Sequence, residues 1–219
     1  MKRGLLIFDL DGTLLDTLDD LAASLNHALT GFDLPARSRE EVRGFIGNGV
    51  RLLVRRALPE TADPESVRQV FGDFADHSRT HCADLTRPYN GVIDMLRRAR
   101  QRGFATAVVS NKSHREVQAL CDRFFPGLLD MAAGERPGLA RKPAPDLPRL
   151  VLRELGFSAD QACYIGDSPV DVETARNAGL DCVCVSWGFR SRDELIRAGA
   201  RRIAASPAEL AALWEAEDE

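Results

Sequence analysis

The chain has 219 residues, enough for one or two domains and for a core that needs no disulfide or metal staple. Apolar residues make up 44% and charged residues 28%, with a net charge of −4, so neither a membrane span nor the basic footprint of a nucleic-acid binder is expected. Of the 29 basic residues only Lys2, Lys112 and Lys142 are lysine, so any role that requires an amine has three candidates.

Residues 4–8 form a short, continuous apolar run, the pattern of a strand covered on both faces. Preceded by Met1-Lys2-Arg3 and followed by Asp9, this run is too short for a secretory leader and lacks a small-residue cleavage site. A cytoplasmic location is the expectation. Residues 16–83 contain no convincing strand and read as four helices, at 18–29, 39–46, 50–58 and 64–83. Beyond them the pattern alternates. Helices at 92–102, 114–124 and 147–155 separate strand-like runs at 105–109, 163–165 and 182–185. Such alternation predicts an α/β fold with a parallel sheet flanked by helices. A crossover between parallel strands needs only about a dozen residues. The stretch of about 65 after the first strand therefore reads as an inserted α-helical domain. The expected division is an α/β core at 1–15 and 84–219 and a helical domain at 16–83.

Helix starts are marked by Ser113, Ser168, Ser191 and Ser206, each followed three residues later by an acidic residue. Gly103 and Gly179 fall where helices should end. The five cysteines are odd in number and show no CxxC spacing, so buried free thiols are expected rather than a disulfide framework or zinc site.

Four clusters carry the chemistry. Asp9-Leu10-Asp11-Gly12-Thr13 follows the first strand. Side chains two apart on an extended chain point the same way, so Asp9 and Asp11 converge beyond its carboxyl end, where open α/β sheets bind ligands. Asp-Gly is also an ordinary turn signal. Gly166-Asp167-Ser168-Pro169-Val170-Asp171 follows a later strand; a helix cap explains Ser168, Pro169 and Asp171 but not Asp167. Several carboxylates at one sheet edge repel, by roughly 4 kcal/mol per pair at 4 Å and an effective dielectric of about 20. A hard divalent cation resolves this, and the all-oxygen donor set suits Mg²⁺. Ser110 and Asn111 lie between a strand end and a helix N-terminus, either a polar turn or an anion site. Lys142 precedes a Pro143-Ala144-Pro145 turn. A turn lysine is usually solvated, but in a chain built on arginine a compact ammonium here suits a place among carboxylates and a phosphate. Together the clusters supply a nucleophile, an acid, metal ligands and anion donors, the set needed for phosphoryl transfer through an aspartyl-phosphate.

The sequence resembles the haloacid dehalogenase superfamily, and within it the phosphoglycolate-phosphatase-like hydrolases, over nearly its whole length. DLDGT at 9–13, Ser110, Lys142 and GDSPVD at 166–171 look like the four motifs of that superfamily, and Gly47-Asn48-Gly49 with Leu52, Leu53 and Leu58 looks like its helical cap. The resemblance implies a Rossmann-like sheet with a helical cap and a phosphatase acting on a small phosphorylated metabolite. Asp9 would be the nucleophile and Asp11 the acid, then base. Ser110, Asn111 and Lys142 would hold the phosphoryl oxygens, and Gly12 and Thr13 would bind substrate beside them. Mg²⁺ would be held by Asp9, the Asp11 carbonyl and Asp167, with Asp171 in support.

In the mechanism this implies, crowded acidic surroundings keep Asp11 protonated for the leaving oxygen, and the helical domain closes as a lid. Asp11 argues against a dehalogenase, and the absence of lysine from 16–83 argues against a phosphonate-cleaving relative. A sugar-phosphate mutase, a nucleotidase and a pyrophosphatase use the same motifs and stay open. A non-turnover phospho-accepting or ligand-binding protein is the alternative of another class, which Asp11 disfavours because an adjacent base hydrolyses an acyl phosphate. Of Arg43, Arg51, Arg55 and Arg56, one could read a substrate carboxylate. The chain is expected to act as a monomer or homodimer.

Overall fold

The structure, a computed structural model, describes residues 4–47 and 49–215. The Met1-Lys2-Arg3 start and Asn48 of the Gly47–Gly49 tract lie outside them. The chain divides into two compact units, Met1–Leu15 with Pro88–Glu219, and Asp16–Arg87.

The first unit opens with β1 (Leu5–Phe8), every residue of which is buried. A two-residue strand, β2 (Leu15–Asp16), leads into the second unit. There follow α1 (Leu18–Gly31), α2 (Arg39–Phe45), α3 (Val50–Ala57) and α4 (Pro64–His81). The return is β3 (Arg87–Pro88), which pairs with β2. The first unit then continues with α5 (Val92–Gln101), β4 (Ala105–Ser113), α6 (His114–Phe124), β5 (Met131–Glu135) and α7 (Asp146–Leu155). It ends with β6 (Ala162–Gly166), α8 (Pro169–Ala178), β7 (Asp181–Val185), α9 (Arg192–Arg197), β8 (Ile203–Ala204) and α10 (Pro207–Glu215).

Six strands form one parallel sheet in the order β5-β4-β1-β6-β7-β8. The four apolar runs of the sequence are its centre, and the flanking strands β5 and β8 are additions. β5 reads Met-Ala-Ala-Gly-Glu, small residues of low strand propensity that are recruited by pairing with β4 rather than by their own pattern. β4 also outruns its expected end at residue 109, reaching Ser113 through a register shift beyond Val109.

Both faces of the sheet are covered, which is why its strands read as unbroken apolar runs. On one face Leu5, Ile7, Val109 and Tyr164 pack with Leu147 and Val151 of α7 and Ala175 of α8. Elsewhere in the unit, Phe8 meets Trp214 of α10 edge-on at 6.4 Å between ring centroids. Each such fully buried side chain contributes about 1.5–3 kcal/mol. The serine caps behave as the sequence predicts: Ser113 and Ser191 accept the Glu116 and Glu194 N–H groups, and Ser206 accepts that of Glu209. All five cysteines are free thiols. No helix of the described residues is long and apolar enough to cross a membrane.

In the second unit α1 packs on α4, and α3 bridges α2 and α4. Buried Asp20 closes it by accepting the N–H groups of Leu85 at 2.9 Å and Thr86 at 2.8 Å. The arginines are largely committed locally. Arg55 donates to the carbonyls of Pro59 and Glu60, Arg56 to that of Phe45, Arg43 pairs with Glu40, and Arg51 lies 4.2 Å over the Phe71 ring.

Three of the four histidines form a column across α1 and α4. His77 stacks on His27 at 4.2 Å and on His81 at 4.3 Å, and its Nδ1 shares a hydrogen bond with Ser24 Oγ at 3.1 Å. Asp73 lies 3.9 Å from His27 and Asp84 2.7 Å from His81. Burial, then the charges of His27 and His81, hold His77 below its ordinary value of 6.5, with Asp73 and Asp84 opposing. The folded chain therefore binds fewer protons here than the unfolded chain as pH falls through 6.5. The contribution of the neutral His77 ring to stability is present above that pH and is lost below it. The thermal midpoint should fall further between about pH 7.5 and 5.5 in the wild type than in His77→Gln. Equal falls in the two proteins would show that the column does not sense pH.

Candidate active site

Register creates the site. Phe8 is level with Val108 on one side and Ile165 on the other. The carboxyl ends of β1, β4 and β6 are thus flush, and Asp9, Ser110 and Asp167 emerge at one edge of the sheet. The Asp9 N–H extends the ladder by donating to the Ile165 carbonyl at 2.8 Å.

Lys142 ties the edge together. Its Nζ is 2.8 Å from Asp9 Oδ1 and 2.8 Å from Asp171 Oδ1, and only 3% of its side chain is exposed. Burial favours the neutral amine, but Asp171 and Asp9 outweigh it and hold the ammonium well above the ordinary lysine range. Asn111 fixes the lysine from behind. Its side-chain amide donates to the Lys142 carbonyl at 3.0 Å and accepts the Lys142 N–H at 2.8 Å. The Asn111 side chain is therefore committed to the protein rather than free for the anion expected at this position.

Asp171 combines the two readings its sequence position allows. Its Oδ2 accepts the Ser168 N–H and hydroxyl at 3.1 and 2.6 Å, completing the capping box of α8. Its Oδ1 takes Lys142 and the Tyr164 hydroxyl, the latter at 3.3 Å. Tyr164 is a site residue that sequence reasoning treats as plain core.

Asp167 is enclosed by main chain and small groups. The Thr13 hydroxyl donates to its Oδ1 at 3.3 Å and the Phe189 N–H to its Oδ2 at 2.7 Å. Thr13 is fully buried, so its hydroxyl supports Asp167. Trp187 in turn donates its indole N–H to the Thr13 carbonyl at 3.0 Å. Two glycines make room: a Cβ on Gly12, whose φ is +86°, or on Gly188 would overlap the Asp167 carboxylate. Burial, then Asp171, push Asp167 up to about 7, while the Phe189 N–H and Lys142 pull the other way. Burial and Asp171 likewise raise Asp9 well above the carboxylate range, Lys142 opposing and Asp167 adding.

Asp11 has different surroundings from the acidic crowd expected of it. Its Oδ1 is 3.3 Å from Lys112 Nζ and its Oδ2 3.4 Å from the Ser110 hydroxyl. Acidic crowding acts on Asp9 and Asp167 instead. Lys112 is the second residue that sequence reasoning overlooks, although the scarcity that marks Lys142 marks it equally.

Four carboxylates, Asp9, Asp11, Asp167 and Asp171, face two ammoniums, Lys112 and Lys142. With all ionised, two negative charges are left over, the charge of one divalent cation. Asp9, Asp167 and Asp171 each present a carboxylate oxygen within 4.8 Å of the others. Asp171 is already paired with Lys142 and caps α8, and one oxygen of Asp9 also takes Lys142. An all-oxygen, electron-rich cluster fits a hard divalent cation.

Comparison with known proteins agrees with this geometry. Residues 6–185 match the family model described as haloacid dehalogenase-like hydrolase. The chain belongs to the haloacid dehalogenase-like hydrolases. It is 34% identical over 200 residues to a phosphoglycolate phosphatase of Mesorhizobium japonicum, covering 88% of this chain and 86% of that one. A crystal structure from Lactobacillus delbrueckii subsp. bulgaricus, of a protein put forward as a phosphoglycolate phosphatase, superposes with a TM-score of 0.94 at 36% identity, covering 98% of this chain and 99% of that one. CbbY from Rhodobacter sphaeroides, solved in complex with phosphate, superposes at 0.80 with 28% identity, covering 95% and 96%. Within the haloacid dehalogenase-like hydrolases this chain is a phosphatase with a helical cap. That sets aside the reading as a phospho-accepting switch.

A divalent cation should stabilise the fold in a pH-dependent way. Asp167 at about 7 lies above its unfolded value of 3.8, so the metal-free fold loses stability as pH rises through about 7. A bound cation replaces the missing proton's charge and should restore it. At a hundredfold excess over Kd the gain is about 2.7 kcal/mol, a rise of several degrees in thermal midpoint. The rise should be larger near pH 8 than near pH 5.5, and no shift at either pH would refute a cation at this cluster.

Proposed function

We propose that the protein is a Mg²⁺-dependent phosphatase that hydrolyses a small carboxylated phosphomonoester of the phosphoglycolate type through an aspartyl-phosphate on Asp9. The observation that carries this reading is the Asp9 carboxylate at the tip of β1. Its Oδ1 is held by Lys142 at 2.8 Å and by the Leu10 N–H at 2.7 Å, and Asp167 lies beside it. A carboxylate fixed through one oxygen keeps the other for attack on phosphorus. The substrate class is supported by the phosphoglycolate phosphatase of M. japonicum, and the phosphate site by the complex of CbbY.

Asp9, the Asp11 carbonyl and Asp167 would hold the cation. When bound, it supplies positive charge against the phosphoryl oxygens and the ionised carboxylates. Lys142, Ser110 and the Asn111 N–H bind and orient the phosphoryl group so that Asp9 meets phosphorus in line with the leaving oxygen. The bond from Asp9 to phosphorus forms as the bond to the leaving oxygen breaks, and Asp11 gives that oxygen its proton. Asp11, now ionised, takes a proton from a water that attacks the acyl phosphate. Inorganic phosphate departs, and the Asp9 carboxylate and the Asp11 acid are regenerated. Lys142 stays charged throughout and helps keep Asp9 ionised despite its burial.

With Mg²⁺ the protein should release phosphate from phosphoglycolate with a higher kcat/KM than from sugar phosphates, nucleoside monophosphates or pyrophosphate, and EDTA should abolish turnover. Asp9→Asn should lower kcat by at least about a thousandfold with the fold intact. Wild-type turnover in Asp9→Asn would eliminate the nucleophile; a sugar phosphate at the head of a phosphomonoester panel would eliminate the substrate class.

A further inference from the structure

Lys112 has no assignment in the mechanism above, yet it is built into the site. Its residue is 5% exposed, and its Nζ lies 3.3 Å from Asp11 Oδ1. The Ser110 hydroxyl lies 3.4 Å from the other oxygen of the same carboxylate and also accepts the Lys112 main-chain N–H at 3.1 Å. The segment 110–112, where β4 departs from regular register, thus holds Asp11 from both sides, one group per oxygen.

Such an arrangement has a physical cost that needs an explanation. Removing an ammonium from water costs several kcal/mol unless it is paired. The chain otherwise uses arginine almost everywhere, so a lysine here is not a compositional habit. Asp11 stands on the loop after β1, next to Gly12 with its φ of +86°, rather than on a strand of its own. A proton donor works only if its oxygen is held within hydrogen-bond reach of the atom it protonates. The clamp supplies that restraint from β4, a rigid element, rather than from the loop itself.

We infer that Lys112 is a positioning residue: with Ser110 it holds the Asp11 carboxylate in the orientation from which the leaving oxygen is protonated. The inference rests on the proposed role of Asp11 as the acid. It makes the value of Lys112 depend on the leaving group. An alkoxide is a strong base that must be protonated as it departs, whereas p-nitrophenolate departs with little help. A general damage to the fold or to phosphate binding would affect both substrates alike.

The test compares kcat/KM, which reports the steps up to departure of the leaving group, for an alkyl phosphomonoester and for p-nitrophenyl phosphate at saturating Mg²⁺. Lys112→Met and Lys112→Gln both remove the charge and keep all but one atom of the side chain's length, so that the test survives if one of them fails to fold. Either should lower kcat/KM for the alkyl substrate at least about tenfold more than for the aryl substrate. Asp11→Asn, measured alongside, should change the same ratio by at least as much. Equal losses on both substrates, or none, in the folded Lys112 variants while Asp11→Asn changes the ratio would overturn the role of Lys112 alone. An unchanged ratio in Asp11→Asn would instead overturn Asp11 as the acid, and the inference with it.

Discussion

One buried cation, the Lys142 ammonium between Asp9 and Asp171, is the contact on which the site depends. It joins three separate stretches of chain: the tip of β1, the turn before α7 and the first turn of α8. Asn111 adds the end of β4 by holding the lysine's main chain. Removing one partner of such a buried pair costs about 3–5 kcal/mol, because the remaining charge is stranded. Asp171 extends the linkage into secondary structure. The carboxylate that pairs with Lys142 also caps α8, so the start of that helix cannot shift without moving the charge that holds the lysine. Structure and chemistry share the same atoms here.

A second constraint is the imbalance of charge. The site gathers more carboxylate than ammonium in a place with little water, and Asp9 and Asp167 respond by holding protons more tightly than free carboxylates do. The groups around Asp167 are fixed N–H and O–H donors rather than mobile cations. They satisfy the carboxylate without neutralising it. The cluster is therefore preorganised for a divalent charge and poorly suited to its absence.

Much of this was legible in residues whose meaning is local. Unbroken apolar runs told of a sheet covered on both faces, and Asp9, Ser110, Lys142 and Asp167 each border such a run or the helix after it. Their convergence could be anticipated because parallel strands present their carboxyl ends to the same side. What the sequence does not display depends on pairing across the chain. The Phe189 N–H that supports Asp167 carries no side-chain signature, Tyr164 reads as one more apolar strand residue, and β5 is a strand only because β4 lies beside it. The surroundings of Asp11 differ from what its sequence neighbours imply for a related reason. Acidic neighbours in sequence suggest acidic neighbours in space, whereas Ser110 and Lys112, from the stretch of β4 where register shifts, lie against it. Lys112 itself is legible, since lysine is equally rare at both positions.

That rarity also shapes the outside of the molecule. Among the described residues the only lysines are Lys112 and Lys142, and both are buried. Every exposed basic side chain described is therefore a guanidinium or an imidazole. Reagents and modifying enzymes that acylate primary amines find no side-chain target on the described surface, while arginine-directed reagents find many. A gain of amine reactivity in the described regions would thus report opening of the site itself, and cation cluster and surface chemistry together make the folded state chemically distinguishable from any state in which the sheet edge has come apart.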